Sequence, residues 1–156
     1  MKISPKALCP MHVLLAQPFN LASPAQPVEV RNLQSRLPDV IPGDYFEFLL
    51  LGDGGAGDVG GGEYAMLWSS DEIEKNNIVY EVANYAPGLV LFGSNGGGEA
   101  FAFDTMQAVA TIGIVPFVGM SRKEYRPIAA TFHQFLNKLA SGLSYEEIIG
   151  ADLSRH

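Results

Sequence analysis

Hydrophobic and polar positions alternate most cleanly over Leu89–Asp104. An apolar run, Leu89–Phe92, leads into the glycine-rich turn Gly93–Gly98. The next run sets Phe101 and Phe103 on one side and Ala100 and Ala102 on the other. A period of two predicts a strand with one face in a core. Asn95-Gly96 predicts a primed hairpin turn, whose two central residues need positive φ. The pair reads as the central hairpin of an antiparallel sheet. Glu63–Trp68 also alternates and predicts a strand, with Trp68 assigned to the core. Ile112–Val118 predicts another, and Pro116 within it predicts a sheet edge or a bulge, because proline donates nothing to a ladder.

Between these runs the spacing changes to three and four. Val30, Leu33 and Leu37 predict a helix over Val28–Leu37, closed by Pro38. A second helix is predicted to start at Pro42, bury Tyr45, Phe46, Leu49 and Leu50, carry Asp44 and Glu47 near its positive end, and stop at Gly52. Ser70-Asp71-Glu72 predicts a cap for a third helix, with Ile73, Ile78, Tyr80, Val82 and Tyr85 on its apolar side and a break near Asn76-Asn77. Arg126-Pro127 predicts the start of a long helix striped by Ile128, Phe132, Phe135, Leu136 and Leu139. Ser144-Tyr145-Glu146-Glu147 is a capping box opening a last short one. The pattern divides the chain into a proline-rich arm, residues 1–27 with five prolines, and one domain, residues 28–156.

Charge sharpens this picture. The net charge is −7, but residues 44–104 carry eleven acidic groups against one base, Lys75, while both flanking segments are slightly basic. Such a block repels nucleic acid, which is bound by Lys and Arg, and attracts a basic protein. No apolar run reaches the ~18 residues of a membrane span. Lys2 and Lys6 precede an apolar segment that Pro10 and His12 interrupt, so an export signal is not expected. The single cysteine allows no internal disulfide and fits a reducing, cytoplasmic compartment.

Chemistry-bearing motifs are sparse. Gly52-Asp53-Gly54-Gly55-Ala56-Gly57 matches a dinucleotide fingerprint in letters only, because a helix rather than a strand precedes it. Cys9-Pro10-Met11-His12 is half a metal site with no second pair. His12, His133 and His156 stand in unrelated contexts, and His133 reads as a boundary residue of its helix. No cofactor and no metal is therefore expected. The acidic loop Gly52–Gly62, read as flexible, and the turn Gly93–Gly98 are the expected recognition surface. The candidate partner-binding residues are Asp53, Asp58, Glu63, Asn95, Glu99, Asp71 and Glu72. Asp104 is expected to cap the turn after its strand. A metal-assisted enzyme using Asp53, Asp58, Glu63 or Glu99 is the alternative from another class.

The order of signals carries a resemblance. Leu37-Pro38, Tyr45-Phe46-Glu47-Phe48-Leu49, Gly54-Gly55, a strand with Trp68, the run Leu91–Asp104 and Phe132-His133-Gln134-Phe135-Leu136 together resemble the SUKH superfamily over about residues 28–140. Where that family has Asn before its Gly-Gly, this chain has Asp53. The resemblance implies a single α+β domain, a mainly antiparallel sheet with N- and C-terminal helices packed against it. It implies a non-enzymatic protein-binding module: an immunity-type protein that neutralises a toxin, often a nuclease, or a regulatory scaffold without a toxin partner.

Overall fold

The computed structural model describes residues 8–153, with side chains as far as Gly150. Lys2, Lys6 and His156 lie outside that range. Seven strands form one sheet in chain order, each antiparallel to the next: β1 (Asn20–Leu21), β2 (Gly55–Asp58), β3 (Tyr64–Leu67), β4 (Leu89–Ser94), β5 (Glu99–Asp104), β6 (Thr111–Pro116) and β7 (Arg126–Ala129). Around it lie α1 (Met11–Leu14), α2 (Pro27–Arg36), α3 (Gly43–Leu51), α4 (Ile73–Val79), α5 (Val82–Tyr85), α6 (Phe132–Leu139) and α7 (Tyr145–Leu153). This is a single α+β domain, with β4 and β5 at the centre of the sheet.

The inner face is built from rings. Phe92, Phe101 and Phe103 of β4 and β5 meet Tyr45 and Phe48 of α3 and Phe132 and Phe135 of α6, all fully buried. Phe103 lies 4.5 Å from Phe92 and edge-on to Tyr45 at 5.0 Å, between ring centroids. Offset and edge-on pairs add to area burial by about 0.5–1.5 kcal/mol each. Asp44 joins the two helices: its carboxylate accepts from the backbone N–H groups of Phe132 and His133, at 3.1 and 2.8 Å. It therefore caps α6, eighty-eight positions away in sequence, as well as lying in the first turn of α3.

Several expectations change. Ala100 and Ala102 are as buried as Phe101 and Phe103, so β5 is covered on both faces. Val82 of α5 and Ala86 just after it, with Phe117, Met120 and Tyr125, form a second, smaller core over Leu91, Ala100, Ala102 and Val115. The hairpin loop spans four residues, and only Gly96 among Asn95–Gly98 has positive φ. Asn95 instead accepts backbone N–H bonds from Gly97 and Glu99 through Oδ1, the local bonding that lets Asn replace a backbone turn. In α3, Phe48 is buried and Leu50 faces solvent.

Arg126-Pro127 opens strand β7, not a helix. β7 is the last strand of the sheet, where a proline is tolerated. The helix starts at Phe132, after Thr131, whose Oγ1 accepts from the Gln134 N–H at 3.0 Å. Pro116 ends β6, an interior strand, and the irregularity in β6 falls at Ile112/Gly113 against β7. The break after Ile73 comes at Glu81, a non-glycine residue with φ 53°. Asn77 lies inside α4 and pins it to the sheet: its amide accepts from the Leu91 N–H and donates to the Leu91 carbonyl, both at 2.9 Å.

The Gly52–Gly62 segment is not a flexible loop. Residues 55–58 are strand β2, paired with β3 on one side and with the proline-rich arm on the other. Glycine is required by close approach. A Cβ at Gly55 would come within 2.4 Å of the Asn20 carbonyl oxygen, and one at Gly57 within 2.6 Å of that of Pro18. The arm thus lies along the domain, with Leu14, Leu15 and Phe19 in the main core. His133 Nε2 and Asn137 both bond the Cys9 carbonyl, which places His133 at the boundary, as expected of it.

Candidate protein-interaction face

An antiparallel meander brings alternate strand ends together. At one end of the sheet stand the last residue of β2, the first of β3 and the β4–β5 loop, so Asp58, Glu63, Asn95 and Glu99 gather there. Asp58 pairs with Tyr64, and Gly96 lies so close over the Tyr64 ring that a Cβ there would approach within 2.8 Å. Asn95 Nδ2 donates to Glu99 Oε1 at 3.1 Å. The Tyr145 hydroxyl donates to the Tyr64 carbonyl at 2.7 Å. Burial pushes that hydroxyl above its ordinary value, and the carboxylates of Glu63 and then Glu99 push it further, so both charges reach one point. Glu99 also shares a recess of about 390 Å³ with Glu124, Arg126 and Glu146.

Asp53, Asp71 and Glu72 stand apart from this group, near the opposite end of the sheet. Asp53 is occupied: its carboxylate accepts from Ser70 N–H at 2.6 Å and Ser70 Oγ at 3.1 Å. Asp71 and Glu72 both bond Ser69, Asp71 through the Oγ and Glu72 through the backbone N–H. The expected cap at Ser70 is therefore a turn, and the first residue of α4 carries no side-chain cap. Asp104 caps its turn as expected, accepting from Met106 N–H at 3.1 Å, and also accepts from Arg122 Nη2 at 2.8 Å. That buried carboxylate fastens the 117–125 segment over the outer core.

Residues that sequence reasoning missed run along the outer side of β3, from Tyr64 at the acidic end to Trp68 beside Asp53 and Asp71 at the other. Trp68, expected in the core, packs against the margins of both cores but stays half-buried, and its ring stacks on Tyr80 at 6.3 Å and 9°. Tyr80 in turn packs on Phe117 at 4.7 Å. Tyr64 and Met66, on the same side of β3 as Trp68, are 42% and 39% exposed. The signal was the alternation itself: Ala65 and Leu67 point inward, so the larger residues point out. An apolar cleft of about 620 Å³ lies elsewhere, between Pro38, Ile78, Val82 and Leu89. It brings together none of the seven candidate residues. Among the described residues no group of three His, Cys, Asp or Glu side chains is arranged to hold a metal, and no helix is long and apolar enough to cross a membrane.

Comparison with curated proteins gives no match. The sequence profile of the SMI1 / KNR4 family (SUKH-1) matches residues 24–138, which take in the sheet from β2 to β7 and helices α2 to α6. The chain belongs to the SMI1 / KNR4 family (SUKH-1), a family of non-enzymatic protein-interaction modules.

Proposed function

We propose that this protein is an immunity-type module that binds and neutralises a basic, nuclease-like toxin in the cytoplasm, without chemistry of its own. The observation that carries this reading is the gathering of Asp58, Glu63, Asn95 and Glu99 at one end of a sheet whose strands β2 to β5 contain no Lys or Arg. A nuclease active site is basic because it must hold phosphates. A rigid acidic surface matches it and speeds the encounter. Asp53, Asp71 and Glu72, at the other end, add to the field, which falls off over about 8–10 Å in physiological salt.

Co-expression tests the reading. The protein encoded beside this one is expected to arrest growth when expressed alone, and this chain is expected to relieve the arrest. Growth arrest that persists at equal expression, or a neighbour with no effect on growth, contradicts the toxin assignment. It would favour a regulatory module of the same fold.

A further inference from the structure

Resting on the reading that the module binds a basic protein, we propose that its docking core is the bare outer face of β3, formed by Tyr64, Met66 and the Trp68–Tyr80 stack, and that this face seats arginine side chains of the partner.

The pairing defines the face. Met66 lies opposite Ser94, Ser94 opposite Ala100, and Ala100 opposite Val115, so these side chains form one row across the outer surface. Over Ala100 and Val115 the row is roofed by the second core. Among the described residues the roof stops at Tyr80 and Phe117, which leaves Met66 and Tyr64 in the open, with Tyr80 itself 41% exposed. Interface centres are enriched in Tyr, Trp and Met, and a few such residues dominate binding energy. The stacked rings hold one another in place, so little side-chain freedom is lost on contact.

Charge selects the occupant. Asp58 lies opposite Tyr64 on this face, Asp71 and Glu72 follow Trp68 by three and four residues, and Glu63 and Glu99 stand at the rim towards α7. A second copy of this chain would bring a net charge of −7 against −7, with its own carboxylates facing these. A basic partner faces no such penalty. Arginine fits better than lysine, because its planar guanidinium stacks on Trp and Tyr rings while its N–H fork bonds a neighbouring carboxylate.

Trp68 is the only tryptophan, so its fluorescence reports on this face directly. The full chain is titrated at low salt with an Arg-Gly repeat peptide and with a Lys-Gly peptide of equal length. The arginine peptide is expected to change Trp68 emission and to bind about threefold more tightly than the lysine peptide. Equal affinities, or an unmoved Trp68, overturn the proposal. In parallel, the protein encoded beside this one is titrated against wild type, Tyr64→Ala/Met66→Ala and Asp39→Asn/Glu47→Gln, the last pair exposed around α3 and away from this face. The first variant is expected to lose about thirtyfold in affinity, the second less than threefold, with unaltered circular dichroism in both. A complex that the Tyr64/Met66 variant leaves intact overturns the face and leaves the module reading standing. Arginine-selective binding at Trp68 without a complex supports the face and overturns the neighbour as partner.

Discussion

The two faces of the sheet are made by the same strands and have opposite characters. On β5 the inner positions are Phe101 and Phe103 and the outer ones Ala100 and Ala102. The large inner side chains reach helices α3 and α6 and close a ring cluster that excludes water. The small outer ones let a four-residue helix and the 117–125 segment lie close against the backbone, and this thin cover ends before β3. Side-chain size along one alternating run thus decides which face becomes the main core and which receives only a thin cover. Stability resides on the inner face, and the outer is the side we propose for recognition.

The comparison breaks most directly at the ring cluster. Phe103→Ala is expected to cost about 3–5 kcal/mol in urea unfolding, because it removes a fully buried ring among neighbours that cannot collapse into the space. On the outer side, Arg122→Ala is expected to cost less, about 2–3 kcal/mol, by leaving the Asp104 carboxylate buried with one partner fewer. If Arg122→Ala costs more than Phe103→Ala, the outer cover is structural rather than accessory.

Alkaline pH sharpens the contrast further. Burial, the leading cause in each case, raises the hydroxyls of Tyr45, Tyr125 and Tyr145 above the ordinary value of 10.0. The unfolded chain releases these protons from about pH 10 while the folded chain keeps them. The stability they supply is complete below that pH and is lost as pH rises towards the folded values. A falling urea midpoint above about pH 10, with the tyrosinate absorbance of these three of the six tyrosines appearing only as unfolding proceeds, is the expected record. Tyr125→Phe, on the outer side, should flatten the fall without removing it.

The smallest expected effect concerns Tyr45. Among the described residues its hydroxyl is the one buried side-chain group that makes no hydrogen bond. Tyr45→Phe keeps the ring contacts and removes that hydroxyl, so it should raise stability by about 1 kcal/mol in the same unfolding measurement.

What could be read from the chain follows the range of the forces involved. The alternation at Leu89–Asp104, the stripe from Phe132 to Leu139 and the Ser144–Glu147 capping box are local signals, and each stands where it was expected. Pairing decisions were harder. The glycines of residues 52–62 read as a loose loop because nothing local shows that the arm lies against Gly55 and Gly57. Arg126-Pro127 read as a helix start because the same proline suits a sheet edge, and only the neighbouring strand distinguishes the two. The candidate carboxylates were legible as charge and not as a place. Asp58, Glu63, Asn95 and Glu99 converge through strand register, while Asp53 is turned to bond Ser70. Trp68 is core only in part: it packs against both clusters yet stays half-buried, because a large apolar residue's average burial holds no knowledge of where the outer cover ends.

The central claim is that the acidic loop end of the sheet and the aromatic outer face of β3 together receive a basic protein. The most direct measurement is the association rate of this chain with the protein encoded beside it, followed through Trp68 across a range of salt concentrations. The account predicts a one-to-one complex whose association rate falls steeply as salt rises, and falls less steeply for Asp58→Asn/Glu63→Gln/Glu99→Gln. Absence of a complex, or a rate that neither salt nor these substitutions change, would contradict it.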